Sequence, residues 1–252
     1  MNKPFKKIKI IVHASTIVYF IACLLTGWFK ESSIAFFIVL CHEYAHTLTA
    51  LALNYQVKDI HLYPFGAFVD IEDYGLHHNW QDFMVAVSGP LSYFLLAYIG
   101  NVTRSHLGEH TYQYYMQINT AVALFNLLPI WPLDGSKILV VGLSYCLDYL
   151  IALKTILVVS FMSFIALVIY LDSSRYFLVY GYLLSQMIIF GKEFYFYYMR
   201  LLFFREKSES HKLVKFHNDY SFYKPYQNFY LHNERIIDEK EFINSKIFID
   251  NE

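Results

Sequence analysis

Charged side chains are scarce in this sequence, and their scarcity is the first indication of where the protein resides. Only 16% of the 252 residues are charged and 56% are hydrophobic, whereas a typical soluble domain carries about 25% charge. The composition therefore predicts an integral membrane protein in contact with a lipid bilayer. The formal net charge is −1, so no overall attraction draws the chain to nucleic acid, and we expect no nucleic-acid partner.

Cysteine is scarce as well, and no internal repeat is visible. The three cysteines, Cys23, Cys41 and Cys146, each lie in an apolar stretch. An odd number without regular spacing provides neither a disulfide framework nor a cysteine-based zinc site.

Long apolar runs account for most of the chain. A bilayer core about 30 Å thick requires about 20 apolar residues in a helix. Six runs are predicted to cross it: residues 10–29, 34–53, 83–102, 112–130, 151–171 and 176–190. The shorter stretch 138–150 either begins the fifth of these helices or forms a separate one. Six spans put both termini on one side, and the four lysines among the first nine residues place that side in the cytoplasm.

A polar stretch between the second and third spans has a different pattern. Its sequence, "VKDIHLYPFGAFVDIEDYG", alternates roughly between apolar and polar residues, and residues 64–66 mark a turn. This pattern predicts two short strands. Non-helical backbone at membrane depth must be covered by protein or face a water-filled cavity. Patterning alone leaves open whether the strands form a re-entrant hairpin within the bundle or a surface loop.

The fold class that follows is an all-α polytopic membrane protein with about six transmembrane helices. It has a re-entrant β-hairpin between the second and third helices and a short C-terminal cytoplasmic tail. We expect residues 1–200 to form the transmembrane domain. We expect residues 201–252 to form the tail, part helical and part extended.

The second span carries ionisable groups at its centre, in the stretch "FIVLCHEYAHTLTALAL". At about 100° per residue, His42 and His46 lie about 40° apart and one turn from each other, so both imidazoles can reach one ion. Glu43 borders that ion and suits a base acting on metal-bound water. A glutamate at a helix centre in lipid costs about 2.5–3.5 kcal/mol, which a purely structural helix has no reason to bear. The alternative is a histidine pair that hydrogen-bonds to neighbouring helices.

A catalytic zinc ion requires a third protein ligand and one position left open for water. The stretch "FNLLPIWPLDGSK" offers Asp134. Because Pro129 and Pro132 break the helix, we expect Asp134 on irregular backbone at the end of the fourth span. Alone, Asp134 could equally be a helix cap or a turn residue, but together with the histidine pair the ligand hypothesis is the stronger.

Three separated motifs, "HEYAH", "SGP" and "NLLPIWPLDG", resemble the site-2 protease family of intramembrane metalloproteases, peptidase family M50. The wording of the third motif and of the hairpin "LYPFGA" is most similar to the sporulation proteases of that family. The resemblance implies one Zn²⁺ per chain, held by His42, His46 and Asp134, with Glu43 as the catalytic general base. Ala67 and Ser136 stand where the family often has glycine, and these departures leave the ligands and the base unchanged.

The resemblance also implies how substrate is handled. Asn126 is associated in related proteases with the substrate or the transition state. The turn formed by Pro64, Phe65 and Gly66 is expected to present an exposed edge on which an unwound substrate could add as a strand.

The function predicted is zinc-dependent intramembrane proteolysis in a bacterial cell membrane. The substrate class is a membrane-embedded or membrane-associated protein, for example the pro-form of a sigma factor in sporulation, and membrane regulatory proteins are conceivable further partners. A divalent-metal transporter is the main alternative, but transporters typically show an inverted repeat. A non-catalytic binding protein is a third alternative, and the retention of Glu43 beside the ligands argues against it.

Overall fold

The structure, a computed structural model, describes residues 9–63, 66–171, 176–207, 213–217, 221–232 and 235–249. Helices dominate it, as predicted. They are α1 Ala14–Thr26, α2 Phe29–Ala52, α3 Asn79–Leu107, α4 Glu109–Asn126, α5 Asp134–Cys146, α6 Tyr149–Leu171, α7 Phe177–Lys207 and α8 Glu239–Ile249. The strands are β1 Lys9–Val12, β2 Val57–Tyr63, β3 Gly66–Ile71, β4 Val214–His217, β5 Gln227–His232 and β6 Arg235–Ile237.

The chain divides into two compact units. The first unit comprises Met1–Tyr74 and Phe83–Leu127, and the second comprises Gly75–Asp82 and Leu128–Glu252. The predicted boundary at residue 200 falls inside α7, which continues to Lys207. The predicted division into a membrane domain and a tail stays a prediction.

Three of the described helices, α2, α3 and α6, are long and apolar enough to cross a membrane. They correspond to the second, third and fifth predicted spans. The stretch 138–150, whose role the sequence left open, belongs largely to a separate helix, α5, which ends at Cys146. The count of six spans stays a prediction.

The first predicted helix is wrong at its N-terminal end. Residues Lys9–Val12 form β1, which pairs in parallel with β2 so that Ile10 lies opposite Ile60 and Val12 opposite Leu62. The run Ile-Ile-Val is β-branched, and such side chains favour extended backbone once a partner strand is present. The helix α1 starts only at Ala14 and ends before Gly27, whose φ of 80° is a left-handed conformation that glycine adopts without strain.

The two strands expected between the second and third spans are present as β2 and β3. They are antiparallel, with His61 opposite Phe68 and Tyr63 opposite Gly66, and with β1 they form a three-stranded sheet in the order β1-β2-β3. The turn residues Pro64 and Phe65 lie outside the described residues. The membrane depth of this hairpin stays a prediction.

The segment after α7 is partly strand and partly helix, as expected, and it belongs to the interior of the second unit. Its sheet has the order β4-β5-β6. Phe222, Tyr230 and Phe242 are buried in one cluster with Tyr198 and Leu201 of α7. The backbone of Phe222 is also bound to the first residue of α6. The Tyr149 N–H donates a hydrogen bond to the Phe222 carbonyl at 2.8 Å.

Two buried ion pairs reinforce this packing. Arg205 Nε donates to Glu239 Oε1 at 2.7 Å, which joins α7 to α8. Lys224 pairs with Asp82 in the first turn of α3. His78 precedes that turn, and its pKa is lowered by burial and by the Arg205 guanidinium.

Candidate metal centre

His42 and His46 lie on one face of α2, as the spacing predicted. Only 2% of His42 and 7% of His46 is exposed. Their Nε2 atoms are 3.2 Å apart and the ring planes are inclined at 80°. The two imidazoles therefore direct the same ring nitrogen to a common point.

The remaining ring nitrogen of His46 is bound by α3. His46 Nδ1 lies 2.7 Å from the carbonyl oxygen of Val85, and Ser88 Oγ donates to the same carbonyl at 2.7 Å. A carbonyl oxygen only accepts hydrogen bonds, so Nδ1 must carry the proton. In the neutral ring the lone pair then lies on Nε2, as a metal ligand requires.

Asp134 lies at the start of α5 and is only 3% exposed. The expectation of irregular backbone at this residue is wrong by a single position: α4 ends at Asn126, an irregular segment follows, and Asp134 is the first residue of the next helix. A carboxylate is favoured in the first turn of a helix, where it faces the positive end of the helix dipole. Lys137 Nζ, one turn further, lies 3.0 Å from Asp134 Oδ1.

The irregular segment before Asp134 is fixed by Trp131. Its backbone N–H donates to Ser160 Oγ of α6 at 3.0 Å. Its ring stacks on Phe190 of α7 with the ring centroids 4.1 Å apart. Two long helices thus set the position at which α5 begins.

Together these residues form a group with the composition of a zinc site. Among the described residues, one ligand atom from each of His42, His46 and Asp134 lies within 4.8 Å of the other two. Zinc binds nitrogen and oxygen at about 2.0–2.2 Å in tetrahedral geometry, which places two ligand atoms of one ion about 3.3–3.6 Å apart. The two imidazole nitrogens, 3.2 Å apart, are close to that spacing, and with one carboxylate oxygen they supply three ligands of the types that zinc binds, which leaves a fourth position open.

The other predicted site residues are not among the three ligand residues. Glu43 is half-buried on α2, next to His42. Asn126 ends α4, and its Nδ2 donates to the Val122 carbonyl of its own helix at 3.0 Å. Gly66 starts β3. The roles of Asn126 and of the hairpin turn stay predictions.

Sequence reasoning missed the contribution of α3. The contact with His46 comes from a backbone carbonyl, which any residue at position 85 would supply. The only signal was the motif "SGP" at residues 88–90, to which no role was given.

Comparison with known sequences identifies the family. The family model of peptidase family M50 matches residues 32–107 and 100–170. Stage IV sporulation protein FB of Bacillus subtilis is 34% identical over 134 residues, which cover 51% of this chain and 46% of that protein. A Synechocystis protein named as a zinc metalloprotease is 40% identical over 106 residues, 40% of this chain and 28% of that protein. The chain thus spans less than half the length of either relative.

Comparison with solved structures shows that the fold is similar to that of a site-2 protease. The site-2 protease of Methanocaldococcus jannaschii superimposes with a TM-score of 0.53 at 20% identity, covering 77% of this chain and 92% of that one. With three helices apolar enough to cross a lipid bilayer, the protein is an integral membrane protein. The family match covers more than half of the sequence and contains the histidine pair and Asp134, so the chain belongs to peptidase family M50.

Proposed function

We propose that this protein is a zinc-dependent intramembrane endopeptidase that cleaves a membrane-embedded or membrane-associated protein. The observation that carries the proposal is the buried group of His42, His46 and Asp134 inside the segment that matches the family. These three residues would hold one Zn²⁺ per chain.

The reaction is hydrolysis of a peptide bond. When bound, zinc supplies a Lewis acid that activates water near neutral pH and polarises a carbonyl group. The Glu43 carboxylate takes the proton of the attacking water and then delivers it to the nitrogen of the leaving amine as the C–N bond breaks. Asn126 is proposed to donate a hydrogen bond to the developing oxyanion, which requires its amide to leave the Val122 carbonyl.

Substrate has to be extended before it can be cut, because a helix keeps its peptide groups in internal hydrogen bonds. Among the described strands, β3 pairs only with β2, so its outer edge can accept a further strand. We propose that unwound substrate adds along this hairpin, with Pro64, Phe65 and Gly66 at its turn.

The membrane arrangement and biological role are proposals at the same level. The protein would lie in the bacterial cell membrane with six spans, a re-entrant hairpin and both termini in the cytoplasm. Similarity to a stage IV sporulation protein supports a role in sporulation. The substrate would then be the membrane-associated pro-form of a sigma factor, and membrane regulatory proteins would be further partners.

The test is the variant Glu43→Gln, which removes the base and keeps the metal ligands. We expect about one zinc per chain in both wild type and variant, and a loss of cleavage of about 10²–10⁴-fold. The variant also serves as a trap, so the proteins that co-purify with it are the substrates to assay with wild type.

The matched control is His42→Ala, which should lose both zinc and cleavage. Undiminished cleavage by the Glu43→Gln protein would contradict the role of the base. A wild-type chain that cleaves none of the trapped proteins and carries divalent ions into vesicles would contradict the peptidase and favour a transporter.

A further inference from the structure

We infer that Gly89, in the "SGP" stretch of α3, is a positioning residue of the metal site. The space left by its missing side chain is the space that the paired imidazoles occupy. This inference rests on the proposed function. It deepens that function by assigning a role to the "SGP" motif, which takes no part in the chemical steps.

The steric argument is direct. A Cβ atom built on Gly89 would lie 2.7 Å from His42 Nε2 and 2.5 Å from His46 Cε1, and closer still to His46 Nε2. Real Cβ atoms essentially never come within 3.0 Å of another heavy atom. Any residue other than glycine would therefore displace the two nitrogens that we assign to the ion.

The imidazoles cannot simply move aside. His46 Nδ1 is hydrogen-bonded to the Val85 carbonyl at 2.7 Å, and Val85 lies on the same face of α3, one turn before Gly89. The helix thus holds His46 Nδ1 through the Val85 carbonyl while Gly89 lies against the adjoining Cε1 and Nε2 atoms of the same ring. Rotation of the ring away from position 89 would break this hydrogen bond inside a buried site.

Retreat of α3 is the other possible response, and it would carry the Val85 carbonyl away with it. Either response changes the direction of His46 Nε2. Loss of such an outer contact typically lowers metal affinity by about 10–100-fold, and we expect Gly89→Ala to fall in this range.

A second glycine of the same helix provides a control. A Cβ on Gly100 would lie 2.7 Å from the Tyr115 ring, so Gly100→Ala is also crowded, though less than Gly89→Ala, and is remote from the imidazoles. Gly142 of α5 has open space at this position and controls for the substitution itself.

The first experiment measures zinc affinity by chelator competition and the midpoint of thermal unfolding for the full-length protein and the three alanine variants. We expect Gly89→Ala to lose zinc affinity by 10-fold or more. Gly100→Ala should have a lower unfolding temperature and unchanged zinc affinity, and Gly142→Ala should resemble wild type. Wild-type zinc affinity in Gly89→Ala, or equal loss in Gly89→Ala and Gly100→Ala, would overturn the inference.

The second experiment is a double-mutant cycle on metal-free protein, which stays informative even if Gly89→Ala is poorly folded. If the added Cβ collides with the His46 ring, the drop in unfolding temperature caused by Gly89→Ala should shrink in a His46→Ala background. The drop caused by Gly100→Ala should be the same in both backgrounds. An undiminished drop for Gly89→Ala would overturn the inference.

The two experiments separate this inference from the proposed function. Because the cycle contains no metal, a positive cycle with a wild-type chain that binds no zinc would refute the zinc peptidase and leave the steric role of Gly89 established. Normal zinc binding with a negative cycle would refute the role of Gly89 alone.

Discussion

The Nε2 atoms of His42 and His46 are buried and lie 3.2 Å apart, so two lone pairs cannot face each other there without a proton or an ion between them. One of them can donate a proton to the other, and the buried Asp134 carboxylate, which Lys137 Nζ contacts at 3.0 Å, adds a negatively charged ligand atom to the group. A divalent ion satisfies all three ligand atoms at once. The ion should therefore stabilise the fold as well as supply the chemistry.

The charge of Asp134 should be essential for zinc binding. Asp134→Asn keeps the shape of the side chain and removes its charge, so zinc affinity should fall by at least the 10–100-fold that loss of an outer contact costs. Chelator competition on the purified protein measures this.

The control carboxylate is Asp148, which accepts hydrogen bonds from the backbone N–H groups of Leu150 and Phe222. Asp148→Asn should lower stability and leave zinc affinity unchanged. Equal zinc affinity in wild type and Asp134→Asn would remove Asp134 from the ligand set.

The histidine pair could be predicted from the sequence because two residues four positions apart on a helix lie on the same face, one turn from each other. Asp134 was found through a motif and not through geometry, since no local rule brings residue 134 to residue 46. The Val85 carbonyl and the space at Gly89 could not be predicted, because they depend on how closely one helix approaches another.

At the scale of elements, the irregular segment between α4 and α5 determines where Asp134 stands. Trp131 is its anchor, through the ring stacked on Phe190 and the hydrogen bond to Ser160. Internal hydrogen bonds, such as Leu133 N–H to the Ile130 carbonyl at 2.8 Å, shape the turn, and these neighbours on other helices fix its position.

Trp131→Ala should therefore destabilise the protein and loosen the start of α5. Removal of a packed tryptophan costs about 3–5 kcal/mol, and the half-buried ring of Trp131 belongs near the lower value. Equilibrium unfolding measures the loss, and zinc affinity should fall with it.

Trp28, of which 65% is exposed, is the control, and Trp28→Ala should change stability by no more than about 0.5 kcal/mol. If Trp131→Ala proved as mild as Trp28→Ala, the anchoring role of Trp131 would be refuted.

The error at residues 9–12 has its origin at this scale too. An uninterrupted apolar run is compatible with a helix or a buried strand, and length favoured the helix. The partner strand β2, nearly fifty residues later, decided the outcome, and no window around Ile10 contains that information.

At the scale of the whole molecule, the residues after α7 complete the interior of the second unit. The Lys224–Asp82 pair is buried on both sides, with 5% and 1% of the side chains exposed. Removal of one partner from a buried pair leaves an uncompensated charge, which typically costs about 3–5 kcal/mol.

We accordingly expect Lys224→Ala to lower the free energy of unfolding by about that amount, whereas the exposed Lys240→Ala should have little effect. Thermal unfolding of both variants in the same detergent gives the comparison. Equal stability of the two would show that the pair contributes nothing.

The sequence predicted that this segment is partly helical and partly extended, but not its attachment. In the sequence alone, the many charged residues of this segment resemble those of a solvent-exposed tail. Pairing of Lys224 with a carboxylate 142 positions earlier leaves no local pattern to recognise.

That distance along the chain also has a consequence in time. A ribosome adding roughly 5–20 residues per second makes Asp82 well before its partner, so the carboxylate waits for roughly 7–28 s without the ammonium that will neutralise it. A message truncated before codon 224 would leave that charge permanently unmatched. A nascent chain of this protein that has not reached Lys224 therefore lacks the cation that pairs with Asp82 in the folded unit.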